Sequence, residues 1–177
     1  MTPERAAYHR LMLLSGLPEE YEQELDMALE TEDPISPLVL DLAFCMSDTQ
    51  QTASVLYNYA LQYPIDSTLL CNMILDGMRK RYLDKSLSPE QIAALLYQMT
   101  RAAGDWFEPY WFDLCIPSYN YELVEEGLIS PETFYKALDA YILRGERLDV
   151  WALEKARQKK KSFPDFFRKQ KGKEILP

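Results

Sequence analysis

The apolar residues of the chain recur at intervals of three and four positions. This spacing is that of amphipathic α-helices, which repeat every 3.6 residues and turn one face inward. No segment keeps the alternation of apolar and polar residues that is typical of a strand. The pattern therefore predicts an all-α protein. The clearest stripes are Ala53/Leu56/Ala60/Tyr63, Leu70/Met73/Ile74/Gly77/Met78, Ile92/Leu95/Leu96/Met99 and Phe134/Leu138/Tyr141/Ile142.

Serine–proline pairs mark several helix starts. Proline is accepted in the first turn of a helix, and the preceding serine can cap the free N–H groups there. Ser88 and Gln91 also form a capping box, and isolated glycines after helical runs indicate helix ends. The starting pairs are Ser36-Pro37, Ser88-Pro89, Ser130-Pro131 and Thr2-Pro3, with Asp48, Asp66 and Asp149 as further caps.

These signals predict an irregular helical bundle or a short helical-hairpin stack of about 9–11 helices, because short connections make successive helices antiparallel neighbours. The length of 177 residues favours one domain spanning 1–177. Pro117 and Pro164 are expected to separate helices. The predicted helices are 3–15, 18–32, 37–47, 49–63, 67–84, 89–103, 107–115, 118–127, 131–144, 149–161 and 164–170.

Charge is distributed unevenly along the chain, whose net charge is −9. No Lys or Arg occurs from Leu11 to Met78, within an acidic N-terminal half of about 1–85. These carboxylates form either a solvated face or a docking surface for a basic partner. The candidate partner-binding residues are Glu19, Glu20, Glu22, Glu24, Asp26, Glu30, Glu32 and Asp33.

The C-terminal tail of about 155–177 is basic and contains three phenylalanines at helical spacing. Three interpretations stay open: the rings dock on the body, the tail crosses to an acidic lobe of its own or a second copy, or it binds nucleic acid or an anionic membrane. The acidic body disfavours nucleic acid, because it repels a phosphate polymer. The tail residues concerned are Lys159, Lys160, Lys161, Phe163, Phe166 and Phe167.

An aromatic segment covers residues 105–121. Bulky rings of this kind fill a corner of the core or anchor a recognition patch, and the sequence leaves both interpretations open. The candidate contact residues are Trp106, Tyr110, Trp111, Tyr119 and Tyr121.

Most catalytic and metal-binding chemistry lacks its residues here. His9 is the single histidine, and we expect it to be a partly exposed helix residue rather than a general base. Three widely spaced cysteines predict buried, reduced thiols in a cytoplasmic protein. No phosphate-binding glycine motif occurs, and no membrane-spanning run. We therefore predict no catalytic residues, cofactor or metal.

The sequence thus favours a non-enzymatic interaction protein, in the manner of an inhibitor, immunity protein or assembly chaperone, whose acidic helices bind a basic protein. A nucleic-acid-associated regulator using the basic tail is the alternative. An enzyme with an unmarked carboxylate or cysteine site is the second alternative. No family resemblance adds to these hypotheses.

Overall fold

The computed structural model describes residues 1–45, 48–103 and 111–170, with the backbone alone for 111, 112 and 161–170. Those residues contain nine helices and no strand. The predicted all-α fold class is confirmed. The helices are α1 (Pro3–Leu14), α2 (Glu19–Thr31), α3 (Pro37–Phe44), α4 (Thr49–Ala60), α5 (Ser67–Leu83), α6 (Pro89–Ala103), α7 (Trp111–Glu125), α8 (Pro131–Arg144) and α9 (Val150–Gln170).

Contacts between residues group the chain into two compact units, Met1–Ser118 and Tyr119–Pro177, so that the boundary falls within α7. The prediction of one domain over 1–177 stays a prediction. In the first unit α1 packs against α2, α4, α5 and α6, while α3 packs against α2 and α4. In the second unit α8 packs against α9.

Apolar burial explains why α1 lies at the centre of the first unit. Seven of its twelve residues are buried, and they point to more than one side of the helix. A helix that is buried on more than one side lies within the core. The other helices of the first unit contribute fully buried side chains to the same core, namely Leu42, Leu56, Leu70, Ile74, Met78, Ile92 and Leu96.

The predicted capping chemistry is present at almost every helix start. Ser88 N donates to Gln91 Oε1 at 2.8 Å, and Gln91 N donates to Ser88 Oγ at 3.2 Å. Ser36 occupies the N-cap position of α3, but its side chain makes no capping bond; its backbone N–H instead donates to Glu32 Oε2 at 3.0 Å. The side chains that accept from the first turn of their helices are those of Thr2, Asp48, Asp66, Ser130 and Asp149.

Two predicted helix breaks are wrong. Residues 111–125 form one helix that contains Pro117, whereas the sequence predicted separate helices on either side of it. Proline inside a helix costs roughly 3 kcal/mol. Pro117 is buried together with Leu114 and Cys115, and this apolar burial offsets the lost hydrogen bond.

The second wrong break is at Pro164, which lies inside α9 rather than between helices. Its immediate neighbours Ser162, Phe163 and Asp165 are not strong helix formers, but residues three and more positions away are, namely Lys159, Lys160 and Lys161 before it and Arg168, Lys169 and Gln170 after it. A single proline removes one backbone hydrogen bond, and these flanking residues favour continuation of the helix.

Candidate acidic binding surface

Helix α2 carries most of the predicted acidic surface and has two different faces. Within α2, all of whose residues the structure describes, Tyr21 alone is buried. Glu20 and Glu24, one turn apart, are half-buried, while the carboxylates of Glu22 and Asp26 are exposed. The 3.6-residue period of the helix therefore divides the acids into an inner pair and an outer row.

The inner carboxylate of Glu24 binds two groups of α1. Its Oε2 accepts from Arg5 Nε at 2.6 Å and from His9 Nε2 at 2.8 Å. Burial by itself raises the pKa of Glu24, but the hydrogen bonds from His9 and Arg5 outweigh burial and leave this pKa below its ordinary value. Glu24 is thus an ionised structural acceptor.

His9 is fully buried, which corrects the expectation of a partly exposed histidine. Ala6, Met12 and Leu13, which lie near His9 on the same side of α1, are buried as well. Burial lowers the pKa of His9, and the hydrogen bond to Glu24 opposes this shift only in part. Nδ1 has no hydrogen-bond partner among the described residues. The neutral ring with its proton on Nε2 fits this site, because a second proton would be a buried unpaired donor.

Glu20 makes the second inner contact, with α1 and α5 together. Tyr8 Oη donates to Glu20 Oε2 at 2.7 Å, and Arg81 Nη1 lies 3.3 Å from Glu20 Oε1. Burial raises the pKa of Tyr8, and the bond to Glu20 raises it further. A Cβ added at Gly77 would lie 2.7 Å from Tyr8 Oη, so Gly77 permits the close approach of α1 and α5.

The outer row of α2 consists of exposed carboxylates. Glu22, Asp26 and Glu30 follow one another at intervals of four residues, and Asp33 continues the acidic run beyond the helix. The last turn of α2 contains no basic residue. Two of the other predicted acidic residues have partners, since Glu19 lies 3.5 Å from Arg81 Nη2 and Glu32 accepts from Ser36 N. The outer row is therefore the part of the predicted surface whose carboxylates face only solvent.

A groove of about 830 Å³ begins where the outer row ends. The α2–α3 connection and α3 contribute the carboxylates of Glu32, Asp33 and Asp41 to the lining, while α4 and the turn after it contribute the rings of Tyr59 and Tyr63. The described residues of the lining include no Lys or Arg. The sequence did not predict this groove, although the spacing of Val55, Asn58 and Tyr59 places a polar-aromatic face on α4 that Gln62 and Tyr63 continue in the turn after it.

Part of the predicted aromatic segment is described. The Tyr119 side chain is exposed, and the half-buried Tyr121 packs its ring against Phe134 with centroids 5.3 Å apart. Trp106 and Tyr110 lie outside the described residues, as does the side chain of Trp111. The two described tyrosines belong to the second unit.

In the predicted tail, Lys159 and Lys160 are exposed on α9. The side chains of Lys161, Phe163, Phe166 and Phe167 lie outside the described residues.

A buried carboxylate, Glu154, anchors the start of α9. It accepts from Ser130 N at 3.0 Å, from Thr133 Oγ1 at 2.6 Å and from Arg157 Nε at 3.1 Å. The hydrogen bonds from Arg157, with those from Thr133 and Ser130, hold the pKa of Glu154 far below its ordinary value. This contact was not predicted, because nothing in the spacing of Glu154 distinguishes it from a surface acid.

The cysteines lack the marks of reactive thiols. Cys45, Cys71 and Cys115 are free and buried, as predicted. Burial raises the pKa of Cys71 to about 11, which leaves little thiolate near neutral pH. Among the described residues, no group of three or more His, Cys, Asp or Glu side chains is arranged to hold a metal ion. None of the helices in that part of the chain is long and apolar enough to cross a membrane.

Comparison of the chain with protein-family models, with curated proteins and with solved structures finds no match.

Proposed function

We propose that this chain is a non-enzymatic interaction protein that binds a basic protein partner through the acidic surface formed by α2 and the segment that follows it. The main supporting observation is the outer row of α2. Its residues Glu22, Asp26 and Glu30 are exposed, and the sequence from Leu11 to Met78 contains no Lys or Arg. The free, buried cysteines are consistent with a cytoplasmic location.

The outer row opposes the stability of its own helix. Like charges four residues apart repel each other by a few tenths of a kcal/mol. Glu30 also lies in the last turn, where the partial negative charge of the helix end disfavours a carboxylate. Exposed acids that destabilise their own helix in these two ways fit a role in recognition, since a complementary electrostatic potential speeds association and disfavours wrong partners.

The experiment is co-purification from the native host with wild-type protein and with the E22Q/D26N/E30Q variant, at low and high salt. We expect a basic partner that the wild type retains at low salt, that high salt releases, and that the variant loses. At 0.1 M salt the interaction between exposed charges is screened beyond about 10 Å, so release of the partner by salt follows directly from the proposed mechanism.

The matched control is E122Q/E125Q/E126Q, which removes the same charge from exposed positions in the second unit. It is expected to keep the partner. Equal loss of the partner in both variants would show that the effect comes from net charge alone. Absence of any basic partner would contradict the proposal.

A nucleic-acid-associated regulator is the second candidate, and the exposure of Lys155, Lys159 and Lys160 on α9 favours it. Electrophoretic mobility shift with duplex DNA and single-stranded RNA tests it. Substitution of the three lysines by glutamine should then abolish a shift that the wild type shows. No shift by the wild type at low salt would remove this candidate, because phosphate binding is strongest there.

A further inference from the structure

The geometry of the groove beside α2 points to a more specific ligand, namely an extended segment of the basic partner whose arginine side chain enters between α3 and α4. This inference rests on the proposed function and names the part of the partner that is recognised. The groove is formed by the α2–α3 connection, the first turns of α3 and one face of α4.

One wall of the groove carries negative charge. Glu32 is held in place by the N–H of Ser36, at 3.0 Å from Oε2. Asp33 and Asp41 are exposed, and no Lys or Arg of the lining neutralises them. The hydrogen bonds from Ser36 are the main cause of the lowered pKa of Glu32, and the α-amino group of Met1 lowers this pKa slightly further.

Aromatic rings and side-chain amides line the part of the groove formed by α4 and the turn after it. Tyr59 and Tyr63 lie with their ring centroids 5.5 Å apart and their planes tilted by 58°. Tyr59 Oη donates to Met1 O at 2.9 Å, which fixes its ring, whereas Tyr63 is 48% exposed. A guanidinium stacks on such ring faces and is attracted by them.

The lining also contains apolar side chains. Leu38 of α3 and Val55 of α4 are half-buried there. An arginine offers a three-carbon stem for apolar contacts and a charged, planar head for carboxylates and rings. The apolar, aromatic and acidic side chains of the lining thus match the parts of one arginine side chain.

The size of the groove and its position agree with a peptide segment. A volume of about 830 Å³ lies in the range of built ligand sites of about 300–1,000 Å³. The groove also continues the outer row of α2, since Glu30, Glu32 and Asp33 are nearly consecutive in the chain. A basic protein held by the outer row would therefore bring its neighbouring residues to the mouth of the groove.

The probes are two fluorescein-labelled nonapeptides of alternating Gly and Arg, identical except that citrulline replaces every arginine in the second. Citrulline keeps the shape and most hydrogen bonding but lacks the charge. We expect the full-length chain to bind the arginine peptide, measured by fluorescence anisotropy. The citrulline peptide is expected to bind at least tenfold more weakly.

Two variants locate the binding. Tyr63→Ala should weaken it about two- to fivefold, the value of one exposed cation–π contact. Asp41→Asn should weaken it by a similar factor. Their matched controls are Leu61→Ala, an exposed residue two positions from Tyr63, and Asp26→Asn on the outer row. Both controls should bind the peptide as the wild type does.

Equal binding of the two peptides, or wild-type affinity in both groove variants, overturns this inference. Loss in Asp26→Asn but not in Asp41→Asn also overturns it, while leaving the proposed function intact. Failure of the proposed function has a different signature, because no basic partner would then co-purify even if the peptide bound.

Discussion

Helices α1 and α2 are neighbours but are held in place by different forces. Seven of twelve residues are buried in α1, against one of thirteen in α2. The position of α1 is therefore fixed by removal of apolar surface from water, worth about 25 cal/mol per Å². The position of α2 depends on Tyr21 and on the hydrogen bonds of Glu20 and Glu24.

The difference shows how one helix can carry a charged surface without losing its place. Apolar burial takes up most of α1, whereas α2 buries Tyr21 alone, turns two carboxylates inward and exposes its outer row to solvent. Polar attachment is sensitive to charge and pH, so α2 is the element whose attachment to α1 changes most easily with conditions.

The largest effect is expected from Leu11→Ala in α1. Leu11 is fully buried, so the substitution leaves a cavity and lowers the free energy of unfolding by about 2–5 kcal/mol. Urea denaturation followed by circular dichroism measures this loss. Leu14→Ala, in the same helix but 36% exposed, is the control and should cost less than half as much. Equal losses would mean that α1 is not the core helix.

Glu24→Ala tests the polar attachment of α2. It leaves the N–H groups of Arg5 Nε and His9 Nε2 without their shared acceptor. Hydrogen bonds involving charged groups contribute about 1.5–3 kcal/mol, so we expect a loss in this range in urea denaturation. Asp26→Ala, two residues further along the same helix, is exposed and should change stability by less than about 0.5 kcal/mol. A similar result for both would show that α2 is not held through Glu24.

Gly77→Ala tests the close approach of α5 to α1. Alanine is the better helix former by about 1 kcal/mol, so a free site would gain stability. Here the new Cβ meets Tyr8 Oη at 2.7 Å, and the bond from Tyr8 to Glu20 must shift. Overpacking costs about 1–3 kcal/mol, so we expect a net loss of about 1 kcal/mol in thermal or urea denaturation.

The double variant Y8F/G77A separates this clash from other causes. Tyr8→Phe removes the hydroxyl that the new Cβ would meet, so Gly77→Ala should be neutral or stabilising in that background. A double-mutant cycle measures the coupling. If the cycle shows no coupling, the stability lost in Gly77→Ala does not come from contact with the Tyr8 hydroxyl.

Helices are predictable from the sequence where one local pattern decides the outcome. The 3.6-residue stripes and the caps at Ser88 and Ser130 indicate the helices and most of their starts, because capping is a contact within four residues. The predicted breaks at Pro117 and Pro164 are wrong, because burial at the first and the flanking helix formers at the second outweigh a local rule. The burial of His9 depends on which helices surround α1, which no local pattern specifies.

The candidate site was predictable only in part, for the same reason. The run of acids was visible in the sequence, but the division into inner and outer carboxylates requires the positions of Arg5, Tyr8 and Arg81. The groove requires the pairing of α3 with α4, which joins Asp41 to Tyr63 across 22 residues of chain.

The pH dependence of stability follows from His9. In the unfolded chain its pKa is about 6.5, and in the folded protein burial depresses the pKa below that value. As pH falls through 6.5 the unfolded state takes up a proton that the folded state does not, so stability decreases until the folded pKa is reached. Urea denaturation between pH 7.5 and pH 5 measures this decrease.

Since His9 is the single histidine, its ring signals in NMR report the folded pKa directly. His9→Gln removes the titrating group and should flatten stability between pH 7 and pH 5. A folded pKa above 6.5 would reverse the sign and would mean that Glu24 stabilises the charged ring more than burial disfavours it.

The smallest effect is expected from the outer row, and its sign is the informative part. The D26N/E30Q variant removes the repulsion of Asp26 with Glu22 and Glu30 and takes a carboxylate away from the negative end of α2. Each of these changes is worth a few tenths of a kcal/mol, so we expect a gain of about 0.5–1 kcal/mol in the free energy of unfolding, measured by urea denaturation at low salt.

Glu22→Gln is the control, because in the first turn the loss of a favourable helix-end interaction cancels the relief of repulsion. High salt should shrink the gain, since it screens exposed charges. A gain in stability together with loss of the basic partner would show that these acids are kept for binding at the expense of the fold. A loss of stability would instead make them structural and would remove the main support for the proposed surface.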